Sequence, residues 1–176
     1  MPRCPEANEN GLDVKRDYYR LILPAILVVF LDQITKYVVT VSIGVYEKIT
    51  IINGFFNLVH VRNRGMAFGL LNSSETGLPY YILVIATLLA IVLLLFWFTR
   101  LKQEEKGISI GLSLIIGGAA GNLIDRLRLT EVIDFLDFHV GSYHWPSFNL
   151  ADSCITIGTI WVVIYILFFG TKEEKN

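Results

Sequence analysis

Four aspartates, Asp125, Asp134, Asp137 and Asp152, fall between Gly117 and Asp152, with Glu131, Arg126 and Arg128 among them. The apolar segments that this stretch abuts are long enough to cross a bilayer. Ionisable groups at such a boundary are costly and usually have a task. Two carboxylates held close together cannot both ionise easily, so they share a proton. One then acts as base toward a water, and the other donates to a scissile carbonyl oxygen. That chemistry needs no metal, cofactor or activated serine, and none is expected. The three histidines, His60, His139 and His144, form no ligand pattern. Cys4 and Cys154 suggest neither a disulfide framework nor a metal site.

Spacing alone does not choose the pair. Asp152 opens an apolar block just after Asn149, and either Asp134 or Asp137 could reach it. Those two share a face if their segment is helical and point apart if it is a strand. The bland alternative for Asp152 is an N-cap or first-turn acid answering the helix dipole. A second set of polar residues could support such a site. Asp32 and Lys36 are four apart on one face of a helix and could simply form an ion pair that tolerates burial. Their position in mid-block means that reaching an outer site needs a tilted or short helix. Asn122, Asp125 and Arg126 end another block, where Arg126 could merely reach water. An asparagine within GAAGNLI, however, must find partners in a dry place.

The elements that must position these residues are membrane helices. Of the 176 residues, 53% are hydrophobic and only 18% charged, a balance more apolar than soluble domains show. A net charge of −1 argues against nucleic acid as a partner. Four blocks, 21–43, 79–99, 107–125 and 150–170, reach the roughly 20 residues that a span needs. The third is the least apolar, but Gly107/Gly111 and Gly117/Gly121 would let neighbouring helices approach closely. Lys15, Arg16 and Arg20, then Arg100, Lys102 and Lys106, then Lys172 and Lys175 all fall on one side of a four-span chain, which should be the cytoplasm. Residues 1–20 and 171–176 then form cytoplasmic tails around one membrane domain, residues 21–170. The first block is too long for the h-region of a signal peptide. Loops 44–78 and 126–149 face outward. In the first of these, Ile49, Ile51 and Ile52, an Asn53-Gly54 turn and the run from Phe55 to Val61 read as a small hairpin or sheet. Its Phe and Val side chains would suit the membrane–water interface, as would Tyr80 and Tyr81.

Taken together, the motifs resemble those of the bacterial lipoprotein signal peptidases, the type II family of membrane aspartic endopeptidases. The resemblance covers about residues 20–170. It runs through Asp32-Gln33-Ile34-Thr35-Lys36, Asn63-Arg64-Gly65-Met66-Ala67-Phe68, Gly117 to Arg126, Val132-Ile133-Asp134-Phe135 and Phe148-Asn149-Leu150-Ala151-Asp152-Ser153. It implies an all-α four-helix membrane protein with a small β-element outside. It places a catalytic dyad on Asp134 and Asp152, with support from Asp32, Lys36, Asn63, Gly65, Asn122, Asp125, Arg126, Asn149 and Ala151. Asp137 is then left to pair with His139 or to face water. The implied substrates are diacylglyceryl-modified prolipoproteins, cut just before the lipidated cysteine. The implied setting is the bacterial inner membrane, with both termini cytoplasmic and the site on the extracytoplasmic face. Membrane lipids, the inhibitor globomycin and a monomeric state complete the expectation.

Two other classes compete with this reading. A small ion or proton transporter would spread its charges through the membrane depth, whereas here all but Asp32 and Lys36 crowd one boundary. A scaffold subunit would use the glycines for packing alone, and would tolerate loss of either aspartate.

Overall fold

A computed structural model describes residues 10–65, 77–101 and 105–169. Four helices are long and apolar enough to cross a membrane: α1 (Asn10–Ser42), α2 (Leu78–Arg100), α3 (Lys106–Leu129) and α4 (Leu150–Phe169). Between them lie β1 (Lys48–Ile52), β2 (Phe56–Asn63), β3 (Val132–Val140) and β4 (Tyr143–His144), which form one antiparallel sheet in the order β1-β2-β3-β4. All four expected spans are present. Helix α1 begins before its apolar block, at Asn10, and α3 runs on past Asp125 to Leu129. Lys102, Lys172, Lys175 and the Met66-Ala67-Phe68 end of the second motif lie outside the described residues.

Helix α3 is the centre of the bundle, and its glycines explain why. A Cβ on Gly117 would meet Ala25 and Val28 of α1, and one on Gly121 would meet Asp32. On another face, Gly118 abuts Ala151 and Ile155 of α4, while Gly111 abuts Val162 and Gly158. Without side chains there, α1 and α4 approach the α3 backbone directly. Such close approach holds helices together where lipid removes most of the hydrophobic drive. Leu21, Phe98, Ile108, Leu112, Ile116 and Val162 form a core shared by all four helices at the end remote from the sheet. Helix α2 is apolar throughout and mostly exposed, with Pro79 in its first turn, where a missing N–H costs nothing.

The sheet leans on the last turns of α1, where Val39 and Ile43 bury against Ile133 and Phe135 of β3. The β1–β2 hairpin turns at Gly54, whose φ of 76° suits glycine. Isoleucines 49, 51 and 52 and Phe55 are exposed, but Val59 is buried, so the outward apolar surface is Ile-rich rather than Val-rich. Residues 132–140 settle the helix-or-strand question as strand β3, paired with β2. A one-residue bulge between Leu58 and Val61 shifts that pairing. It lets Asn57 oppose Asp137 while Asn63, six positions on, lies beside Asp134 on the other face of β3.

Candidate active site

Asp134 is brought to the end of the bundle by β3, which leaves α3 through a turn capped by Thr130. That residue has φ 62°, and its N–H donates to the Arg126 carbonyl at 2.9 Å. Asp152 is in the first turn of α4. Asn149 joins the two carboxylates. Its Nδ2 donates to Asp134 Oδ1 at 2.8 Å, and its backbone N–H donates to Asp152 Oδ2 at 3.2 Å. Each aspartate has a second amide donor: Asn63 Nδ2 to Asp134 Oδ2 at 2.9 Å, and Asn122 Nδ2 to Asp152 Oδ1 at 2.7 Å. The N-cap of α4 is thus Asn149, not Asp152, because the side-chain oxygen of Asn149 accepts the Asp152 N–H at 2.9 Å. Asp152 is the first-turn acid, and its side chain remains free to meet Asn122.

Asn63 is aimed by its own turn. Its Oδ1 accepts the Gly65 N–H at 2.8 Å, and Gly65 sits at φ 89°, where a side chain is strained and would strike Leu83. Arg64 and Arg62, on either side of Asn63, flank Glu131 at 2.7 and 3.8 Å.

Behind the pair lies a buried charge network. Lys36 Nζ is 2.9 Å from Asp32 Oδ2, 2.8 Å from Asp125 Oδ2 and 2.9 Å from Asn122 Oδ1. Asp32 and Lys36 are essentially inaccessible, and their partners meet the condition under which buried charge is tolerated. Asp32 Oδ1 accepts the Ala151 N–H at 3.0 Å, so the mid-span pair does reach the site. Its partner helix α4 starts at that depth, while α1 continues beside the sheet. Half-buried Arg126 interacts electrostatically with Asp152, Asp134 and Asp125 and donates to the Asn122 carbonyl at 3.5 Å.

Burial pushes the Asp134 carboxyl up to about 6. The Asn63 bond opposes this, the nearby Asp152 charge adds to it, and the Asn149 bond and Lys36 pull the other way. Asp137, on the opposite face of β3, is not in this cluster. It is buried and accepts Asn57 Nδ2 and His144 Nδ1, each at 2.8 Å. Desolvation raises its carboxyl, but these two bonds and the neighbouring His144 and His139 outweigh it and hold the group below its ordinary range. Its partner is therefore His144, not His139 or water, because the β3–β4 turn folds Tyr143–His144 back along the strand.

Every site residue expected from the sequence is within this one cluster. Gln33 was not singled out. Its Nε2 donates to Asp125 Oδ1 at 2.9 Å, and an amide inside a span is itself a signal that partners are needed. Among the described residues, no group of three or more His, Cys, Asp or Glu could hold a metal ion.

A four-span bundle with two amide-bridged carboxylates at one rim has the build of a membrane hydrolase. Residues 24–168 match the sequence profile of signal peptidase (SPase) II. The chain is 42% identical over 153 residues to the lipoprotein signal peptidase of Desulforapulum autotrophicum, covering 87% of this chain and 94% of that one. It is 40% identical to the lipoprotein signal peptidase of Syntrophus aciditrophicus over 163 residues, covering 93% and 100%. A bacterial membrane enzyme solved by the in meso method at 2.3 Å superposes with a TM-score of 0.75 at 35% identity, covering 88% of this chain and 92% of that one. The chain belongs to the signal peptidase II family and is an aspartic peptidase.

Proposed function

We propose that this peptidase removes the signal peptide from diacylglyceryl-modified prolipoproteins, cutting before the lipidated cysteine, with Asp134 and Asp152 as its catalytic pair. The observation that carries this reading is Asn149, which bonds both carboxylates at once. Ionised Asp152 takes a proton from water as the water oxygen attacks the scissile carbonyl. Protonated Asp134 gives its proton to the carbonyl oxygen, forming a neutral gem-diol. Collapse of the diol passes a proton to the leaving nitrogen and regenerates the pair. The assignment of the proton to Asp134 is supported by its raised carboxyl. Asn63, Asn122 and Asn149 hold the carboxylates, and Gly65 and Ala151 fix the backbone beside them. Asp32, Lys36, Asp125 and Arg126 provide a buried charged base.

The site belongs on the extracytoplasmic face of the bacterial inner membrane, with both termini in the cytoplasm. The basic residues at 15–20 and 100–106 favour that orientation. The chain works as a monomer, with residues 1–20 and 171–176 as tails around the membrane domain. Globomycin would compete with substrate at the pair. The test is cleavage of a lipidated precursor peptide by the purified protein. Failure to cleave it, or equal cleavage of the unlipidated peptide, overturns the substrate reading.

A further inference from the structure

The face of α3 turned away from α4 borders a groove. Ala120 lies two positions, or about 200° of helix, from both Gly118 and Asn122, which meet α4 and the carboxylates. With Gly117 it forms one wall, opposite Ile26, Val29 and Phe30 of α1, around a volume of about 520 Å³. The lining is apolar except at the sheet end, where Gln33 closes it. There Arg128, exposed on the last turn of α3, donates to Gln33 Oε1 at 3.4 Å. No carboxylate among the described residues pairs with Arg128.

We propose that this groove holds an acyl chain of an anionic phospholipid from the leaflet on the sheet side, with Arg128 taking its phosphate. The inference rests on the membrane orientation given above. Charge chooses the occupant, because a guanidinium with no carboxylate partner among the described residues, at the boundary, attracts an anionic headgroup. The uncharged diacylglyceryl group of a substrate offers it nothing. The groove is also separated from the two aspartates by the thickness of α3, so such a lipid does not compete with substrate. Gln33 links the two regions, since its Nε2 donates to Asp125 Oδ1 at 2.9 Å and to the Gly121 carbonyl at 3.3 Å.

The full chain, purified in uncharged detergent, can be offered equal palmitoyl-oleoyl phosphatidylglycerol and phosphatidylcholine and read by native mass spectrometry. One phosphatidylglycerol should be retained roughly fivefold over phosphatidylcholine, the increment expected of one basic residue at an anionic headgroup. Arg128→Gln should abolish the preference, and Ala120→Phe should lower retention of both lipids. Arg128 is on the surface, so its variant carries the test even if Ala120→Phe does not fold. Equal retention by the unmodified protein, or a preference that survives Arg128→Gln, overturns the proposal. So does displacement of phosphatidylglycerol by equimolar dioleoylglycerol, which would give the groove to the substrate's lipid. Asp134→Asn should lose cleavage and keep the lipid preference, so the two readings fail separately.

Discussion

Asn149 and Asp152 hydrogen-bond each other twice, N–H to side-chain oxygen in both directions, at 2.9 and 3.2 Å. This is the reciprocal pairing of a capping box, with Asp in the position that Glu or Gln usually takes. The start of α4 and the position of a carboxylate are therefore one structure. Asp152 is fixed by the same bonds that satisfy the helix's first N–H groups, and the amide of Asn149 is left free to reach Asp134.

Asp134→Asn and Asp152→Asn should each lower cleavage of a lipidated peptide by at least about 10³-fold, since each removes a proton-transfer group. Asp137→Asn should retain most activity, because Asp137 holds Asn57 and His144 on the other face of β3. An inactive Asp137→Asn beside an active Asp134→Asn would move the chemistry to the wrong face of the strand.

The raised Asp134 carboxyl has a signed consequence for stability. Its folded value of about 6 lies above the ordinary 3.8, so the folded protein binds its proton more tightly than the unfolded chain does. That contribution is fully present below the ordinary value and is lost as pH rises through the folded one. Asp134→Asn cannot titrate there. The unmodified protein should lose up to about 3 kcal/mol relative to Asp134→Asn between about pH 4 and about pH 7.5. Unfolding in mixed micelles across that range measures it, and a constant difference would mean that Asp134 titrates normally.

Lys36→Met should be among the most damaging single changes. It leaves Asp32 and Asp125 buried without their shared cation, a loss of about 3–5 kcal/mol. Adding Asp32→Asn and Asp125→Asn should recover much of the thermal stability without restoring activity. If the triple variant is no more stable than Lys36→Met, the charges are not the cause.

Gly118→Ala and Gly158→Ala form a matched pair. The first Cβ meets the Ala151 carbonyl, in the turn that carries Asp152, and the second meets the Gly111 carbonyl at 2.7 Å, further along the same helix contact. Both should cost about 1–3 kcal/mol through overpacking. Only Gly118→Ala should also lower kcat in the protein that remains folded. Equal kcat values would separate helix spacing from the placement of Asp152.

Reporter fusions address the orientation. Fusions at Ser142 and Ser73 should report the extracytoplasmic side, and one at Gln103 the cytoplasm. A cytoplasmic signal at Ser142 would put the carboxylates on the wrong side for exported substrates.

Much of this architecture was legible because the membrane simplifies it. Span length and the glycine spacing are one-dimensional signals, and four helices with close approach at the third follow from them, whereas its flanking by α1 and α4 emerges only in the fold. The Asn53-Gly54 turn likewise marked its hairpin. The bulge between Leu58 and Val61 was not legible, since nothing in FNLVHVRN states where pairing slips, yet it decides which aspartate each asparagine meets. The Asp137–His144 bond also escaped, because it depends on how tightly the β3–β4 turn closes. From its mid-block place alone, Asp32 needs a tilted or short helix to reach an outer site, and only the resemblance put it there. The depth at which α4 begins was the missing quantity.

The bond from Ala151 to Asp32 joins positions 119 apart in the chain, one in the first span and one at the mouth of the last. Helices enter the bilayer in order during synthesis, so Lys36 can pair Asp32 and Asp125 before α4 emerges, while Asp32 Oδ1 and the Asn122 amide still lack their α4 partners. Polar groups left unmatched in hydrocarbon cost several kcal/mol each. The last helix therefore meets a waiting polar socket, which favours its docking against α3 and α1 over drifting free in lipid. With Asp152 in the proposed catalytic pair, a nascent chain would also stay inert until its final span is seated, because Asp152 and its Asn149 clamp arrive together.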